Sequence, residues 1–234
     1  MQNEITEGML AAEGQAEVME LIRKLGLELN YGSVAMADLD RANRCYIHHT
    51  EAPVAVAGYA MVSVPMARGR FPGWTFIQLI QKRHAMDERE AVALAAVCGI
   101  DVEPPFWGNP APFGKFLWSV IARYQMEPFF ERLDPSKGYG SGGEHYLMRP
   151  RGINPETDEL DLALLTKWRA DFRKLETARQ LMVATVLQLY RQGEDKNWMV
   201  RVPKTWLAAD GIEELRKAGF LKDWAKLYAL YPGW

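Results

Sequence analysis

Cys45 and His48 stand in RCYIHHTEAPVAV (44–56) with the Cys-x-x-His spacing of half a zinc site. A structural zinc ion closes its tetrahedron with four thiolate or imidazole ligands. No cysteine or histidine falls between His49 and His84, so this pair is two ligands short unless His49, His84 or Cys98 folds back. The reading is therefore no metal and no cofactor, with Cys45 and His48 as relic ligands or as a packed cysteine beside a polar histidine. A Cys–His nucleophilic dyad would need a base oriented on the thiol, and nothing in the sequence orients one.

Cations interleaved with aromatics form a second grouping: Arg68, Arg70, Phe71 and Trp74, extended by Lys82 and Arg83. Cations neutralise phosphates while aromatic faces stack on unpaired bases, so this composition suits single-stranded nucleic acid. A basic loop whose aromatics belong to the core reads the same way. GYGSGGEHYLMRPR (138–151) ends on Arg149 and Arg151, which would add phosphate contacts if the glycine-rich run is a presenting loop rather than a plain connector. It lacks the Gly-Lys-Ser/Thr of a phosphate-binding loop and the dinucleotide fingerprint. The aromatic run PPFWGNPAPFGKFLW (104–118) is either a packed crossover or a surface for other protein subunits.

The elements that must position these residues follow from periodicity. Val18, Leu21, Ile22, Leu25 and Leu29 form a helical stripe that weakens at Gly26, so 27–29 can already be extended. APVAVAGYAMVSV (52–64) alternates and suits two short strands turning near Gly58. Helices are expected over 74–84 and over 87–100, the second with Asp87 and Glu90 as a capping box and Gly99 as its stop. A Pro/Gly-rich linker at 104–114 marks the expected domain boundary. Beyond it, 115–133 reads as a helix interrupted at Pro128, and 134–155 as a turn-rich loop. Leu165, Trp168, Phe172, Leu175, Ala178, Met182, Val186 and Leu189 recur at steps of three and four, the stripe of one long bundle helix over 160–192. Trp206, Ile212, Leu215, Phe220, Trp224, Leu227 and Leu230 suggest two or three closing helices, with Trp234 also in the core.

Four pieces, EVMELIRKLGLEL, RCYIHHTEAPVAV, FIQLIQ and EREAVALAAVCGIDV, appear in the order and at roughly the separations found in the zinc-binding domain of DnaG-type bacterial primases, which the N-terminal hundred residues resemble. The family's second cysteine knuckle is replaced here by MARGRFPGW. The resemblance implies a degenerate zinc-finger-like unit that has lost its metal, a knuckle region near the template, and a role in replication or maintenance of a mobile element. The C-terminal half carries neither the Glu-Gly motif nor the Asp-x-Asp pair of that family's catalytic domain, so no enzyme activity is expected.

The net charge is −2, but residues 1–40 hold eight acids against two bases, leaving 26 basic and 22 acidic side chains in the rest. A local basic groove can act despite that total, because screening limits charges to about 10 Å. Two cysteines make no disulfide framework, no apolar run is long enough for a membrane span, and the acidic N-terminus is unlike a secretory signal, so cytoplasmic residence is expected. The sequence thus predicts an α+β protein: a zinc-finger-like unit at 1–103, a linker at 104–114 and a helical domain at 115–234. Its expected function is non-catalytic binding of DNA or RNA. Two alternatives are a large-subunit-like component of an assembly such as a CRISPR effector, and a protein-interaction or inhibitor module.

Overall fold

A computed structural model describes the backbone at 27–30, 33–36 and 47–48, residues 56 and 60, and the stretches 64–85, 110–137, 143–154, 159–191 and 206–233, with 157, 195 and 197–199. Cys45, the expected helix over 87–100 and the linker residues 104–109 lie outside these.

Three antiparallel strands come first, in the order β1 (Leu27–Asn30), β2 (Ser33–Met36), β3 (Ile47–His48). Leu27 pairs with Met36, Asn30 with Ser33, and Ser33 with His48, so the extended segment expected at 27–29 is present. The two strands expected over 52–64 have no counterpart among the described residues of that stretch. Val56 and Ala60 are helical, and α1 runs from Val64 to Arg70. Val56, Ala60, Val64 and Ala67 are all buried, at steps of four, four and three. The alternation was therefore the coincidence of a small-residue helical face with valines on neighbouring positions.

Helix α2 (Phe76–Gln81) opens on a capping box: Thr75 Oγ1 accepts from the Gln78 N–H, and Gln78 Oε1 accepts from the Thr75 N–H at 2.9 Å. It tightens into a 3-10 turn over Lys82–Ala85. Helix α3 (Ala111–Arg123) starts just after Pro110, inside the expected linker. It stops five residues before Pro128, because Gln125 adopts a left-handed φ of 53°. A short antiparallel pair, β4 (Phe130–Arg132) and β5 (Met148–Pro150), replaces the end of the expected helix and part of the expected loop.

The long helix expected over 160–192 is two helices, α4 (Leu162–Phe172) and α5 (Thr177–Tyr190). The stripe is real, and each helix buries its share: Leu165, Trp168 and Phe172 on α4, then Ala178, Met182, Val186 and Leu189 on α5. Leu175 sits at the corner, partly buried. Helices α6 (Ala208–Lys217) and α7 (Leu221–Leu230) close the chain as expected.

Helix α5 is the hub. Every residue from Leu181 to Leu189 is buried, as an almost uncharged helix requires. It packs against α2, α6 and α7. Trp224 stacks on Tyr228 and donates from Nε1 to Thr185 Oγ1 at 2.9 Å, while the Tyr228 hydroxyl donates to Leu79 O at 2.6 Å. Residues 74–76 and 206–208 are joined by reciprocal backbone bonds, Phe76 N–H to Trp206 O and Ala208 N–H to Trp74 O. Close by, Gly211 lets α6 approach α2, since a Cβ there would sit 2.4 Å from Phe76 Cδ2. The described apolar residues from Val56 to Ile80 thus share one apolar core with α3 to α7. The segment 104–114 does not divide the packing of the described residues, so a boundary there has no counterpart in this core. In coarse class the chain is a mixed, helix-dominated α+β protein.

Candidate functional site

The expected nucleic-acid patch does not assemble as a surface. Arg68 is exposed on α1, but its Nε donates to Asp210 Oδ1 on α6 at 2.7 Å. Arg70 ends α1, and its side chain lies outside the described residues. Phe71 is buried in the core and cannot stack on a base without unpacking it. Trp74 is partly buried against the same core. Lys82 is exposed. Arg83, one residue on, is only 1% exposed: its Nε donates to Tyr228 O at 2.7 Å and its NH2 group to Tyr231 O at 2.9 Å. Arg83 therefore caps the C-terminal carbonyls of α7, where a cation complements the helix dipole. It is a structural residue, not a phosphate contact.

Arg149 lies in β5 and Arg151 one residue beyond its end, and both reach Glu131 on β4. Arg149 is buried and holds Glu131 Oε1 through Nε and NH2 at 2.9 and 2.7 Å, which removes it from the candidate contacts. Arg151 is half exposed: its Nε donates to Glu127 O at 2.9 Å, and its NH1 lies 3.5 Å from Glu131 Oε2. Its backbone is pinned as well, by a bond to Phe129 O and by the Trp198 indole N–H on its own carbonyl. His48 places its backbone in β3 opposite Ser33. Among the described residues, no group of three or more His, Cys, Asp or Glu could hold a metal ion.

Arg151 opens onto a cleft of about 730 Å³ between the turn at 125–128 and α4. Lys167 on α4 and Arg179 on the first turn of α5 complete a set of three cations around it, with Trp168 and Leu164 as its apolar wall. A cation at a helix N-terminus opposes the dipole by about 0.3–1 kcal/mol. Arg179 escapes that by bonding the end of another helix: its Nε donates to Tyr124 O at 3.0 Å and its NH2 to Gln125 O at 2.9 Å. Asp171 shares the rim, but Lys174 donates to it at 2.8 Å. That hydrogen bond first, then the charges of Lys174 and Lys167, hold the Asp171 carboxyl below its usual range. Glu127 is the other acid. The guanidinium groups use their Nε and one further nitrogen in these bonds, which leaves N–H donors for an anion.

Leu164, which lines the cleft, is exposed at 41%, and Leu160 and Leu162 just before it in the chain are exposed at 43% and 75%. They are three of the four large hydrophobic side chains exposed among the described residues, the fourth being Tyr146. Neither Lys167 nor Arg179 was singled out in the sequence. Their only signal was Arg179 standing in a first helical turn, and that turn was itself hidden by reading 160–192 as one helix.

No described helix is long and apolar enough to cross a membrane. No family model, no curated protein and no solved structure matches this chain.

Proposed function

We propose that the protein is a non-catalytic nucleic-acid-binding protein whose phosphate contacts are Arg151, Lys167 and Arg179. The observation that carries the reading is their convergence on one open cleft, with two guanidinium groups fixed by main-chain carbonyls. Preset cations lose little freedom on meeting a phosphate, and each neutralised phosphate releases counterions. The primase-like order of N-terminal segments supports the same class of ligand and a role in a mobile element. Phe71 and Arg83 take no part, and Trp168 is too buried to stack on a base, so the site would recognise backbone rather than sequence.

The test is a salt titration of binding to fluorescent single-stranded DNA and RNA, with the double variant Arg151→Gln and Lys167→Ala as comparison. Two lost contacts flatten the slope of log K against log salt by about 1.4 for single strands. An unchanged slope, or no binding by the parent protein at low salt, removes nucleic acid as the ligand of this cleft.

The exposed leucines favour a second reading, a docking surface for a protein subunit. Three exposed leucines within five residues, one of them lining a cleft of mixed charge, resemble parts of a protein interface more than a phosphate channel. Under this reading, Leu162→Glu abolishes partner binding while leaving the salt-dependent affinity for nucleic acid unchanged.

A further inference from the structure

Arg151 and Arg179 come from separate elements and hang on one short turn. The Arg151 Nε donates to Glu127 O at 2.9 Å, while the Arg179 Nε and NH2 donate to Tyr124 O at 3.0 Å and Gln125 O at 2.9 Å. Residues 125 and 127 are two apart, so their Cα atoms stand at most about 7 Å from each other. The turn is itself fixed, since Met126 is wholly buried and its N–H bonds Ile121 O at 2.8 Å. Two guanidinium groups are thus held close together before any ligand arrives, and both line the cleft of about 730 Å³. The Arg151 NH2 and Arg179 NH1 groups make none of these bonds and keep their N–H donors for a ligand.

Paired forks of this kind suit one phosphate of high charge. A phosphate inside a strand carries a single negative charge. A phosphomonoester carries about −1.5 to −2 and three acceptor oxygens near neutral pH. Two guanidinium groups can donate to several of those oxygens at once, in the charge-assisted bonds that are the strong ones. The rest of the cleft favours an end over a passing strand. Glu127 and Asp171 line it too. A strand crossing the cleft carries phosphates past both carboxylates, and like charges at short range repel. A strand that ends at the arginine pair brings its remaining phosphates in from one side only.

We propose that this cleft binds a phosphomonoester, the phosphate at the end of a nucleic-acid strand or of a free mononucleotide, between the guanidinium groups of Arg151 and Arg179. The inference rests on the nucleic-acid reading of the same cleft and narrows its ligand from any backbone phosphate to a terminal one.

The experiment measures fluorescence anisotropy of the full chain at fixed salt with one single-stranded oligonucleotide, labelled internally so that both ends are open. The strand is prepared with a 5′-phosphate, with a 3′-phosphate and with hydroxyls at both ends. A nucleoside 5′-monophosphate and its parent nucleoside serve as competitors. Affinity at least about tenfold higher for one phosphorylated end than for the hydroxyl strand is expected, and the end that shows it is the one that enters. In Arg151→Gln that advantage should fall below about threefold. Should Arg151→Gln not fold, Arg151→Lys, which keeps the charge and loses the fork, carries the same comparison. A monophosphate that competes as well as the phosphorylated strand, with its nucleoside inactive, assigns the site to a free nucleotide. Equal affinity for phosphorylated and hydroxyl strands overturns the proposal; if Arg151→Gln weakens both alike, the strand reading still stands. An end preference that Arg151→Gln leaves unchanged overturns this cleft as its site. No binding of strand or monophosphate at low salt overturns both readings.

Discussion

Helices α3 and α6 end in the same backbone motif built from different residues. At the end of α3 the Met126 N–H bonds Ile121 O and the Gln125 N–H bonds Ala122 O; at the end of α6 the Phe220 N–H bonds Leu215 O and the Gly219 N–H bonds Arg216 O. Both are Schellman closures, and both put one residue in the left-handed region. In α6 that residue is Gly219, with φ 75°, and in α3 it is Gln125, with φ 53°. A side chain in that conformation costs about 1 kcal/mol that glycine avoids. The glycine end only turns the chain from α6 into α7. The glutamine end forms the lip of the cleft, and it is the one supported from outside, by Arg179 on its carbonyls. Strain at a helix stop is thus found where the chain also builds a surface, and a distant side chain supports it there. The two ends face each other: the Tyr124 and Phe220 rings lie 4.3 Å apart, and the Tyr124 hydroxyl donates to Asp223 at 2.7 Å.

Helix ends closed by a distant arginine should suffer most when it is lost. Arg83 serves α7 as Arg179 serves α3, but inside the core. Arg83→Met should destabilise by about 3 kcal/mol, since its charge-assisted bonds to the carbonyls of Tyr228, Ala229 and Tyr231 disappear and those carbonyls stay buried. Arg179→Met, at a half-exposed position, should lose about 1–2 kcal/mol, because water can reach the freed carbonyls. Urea unfolding of both variants would check the order; equal losses would mean that burial does not set the value of such a cap.

Exchanging the left-handed residues tests the strain directly. Gly219→Ala should cost about 1 kcal/mol and Gln125→Gly should gain up to about that much, less the entropy glycine adds to the unfolded chain. A loss on Gln125→Gly would show that its side chain contributes more at the cleft lip than its backbone costs.

The smallest effect near neutrality concerns His145, which is buried beside Phe113 and Tyr146. Burial pushes its pKa below the ordinary 6.5, with a partial offset from the nearby Gly233 backbone. Below 6.5 the unfolded chain binds the proton more readily than the folded one, so stability falls as pH falls through that value and is complete above it. His84 is shifted the same way, first by burial and then by the Arg83 charge. His145→Asn should therefore flatten the decline in stability between neutral and acidic pH only in part. A decline identical to that of the parent would assign it to His84 and the carboxylates.

Much of the fold was legible from local pattern. The apolar stripe over 165–189, the two closing helices and the helix after Thr75 depend on periodicity and capping, which neighbours in sequence supply. The break between α4 and α5 was not legible, since the stripe keeps its period across Arg173–Glu176 and only packing decides that the chain turns there. The helical residues Val56, Ala60 and Val64 were misread as strand because the small residues around them blur the difference between periods of two and 3.6.

Of the eight expected contacts with nucleic acid six are cations, and the sequence could not say which of those would be consumed. Arg83 and Arg149 became internal because a helix end and a β4 carboxylate happened to need them. Arg151 stayed at a rim, and Lys167 and Arg179 joined it from helices the sequence merged. Local sequence determined where helices could start, what they would bury, and that the protein carries more bases than acids beyond residue 40. Tertiary structure alone decided which charges remain free to meet a ligand. A cation's availability depends on carbonyls and carboxylates brought near it by long-range packing, and those partners are up to 148 residues away along the chain.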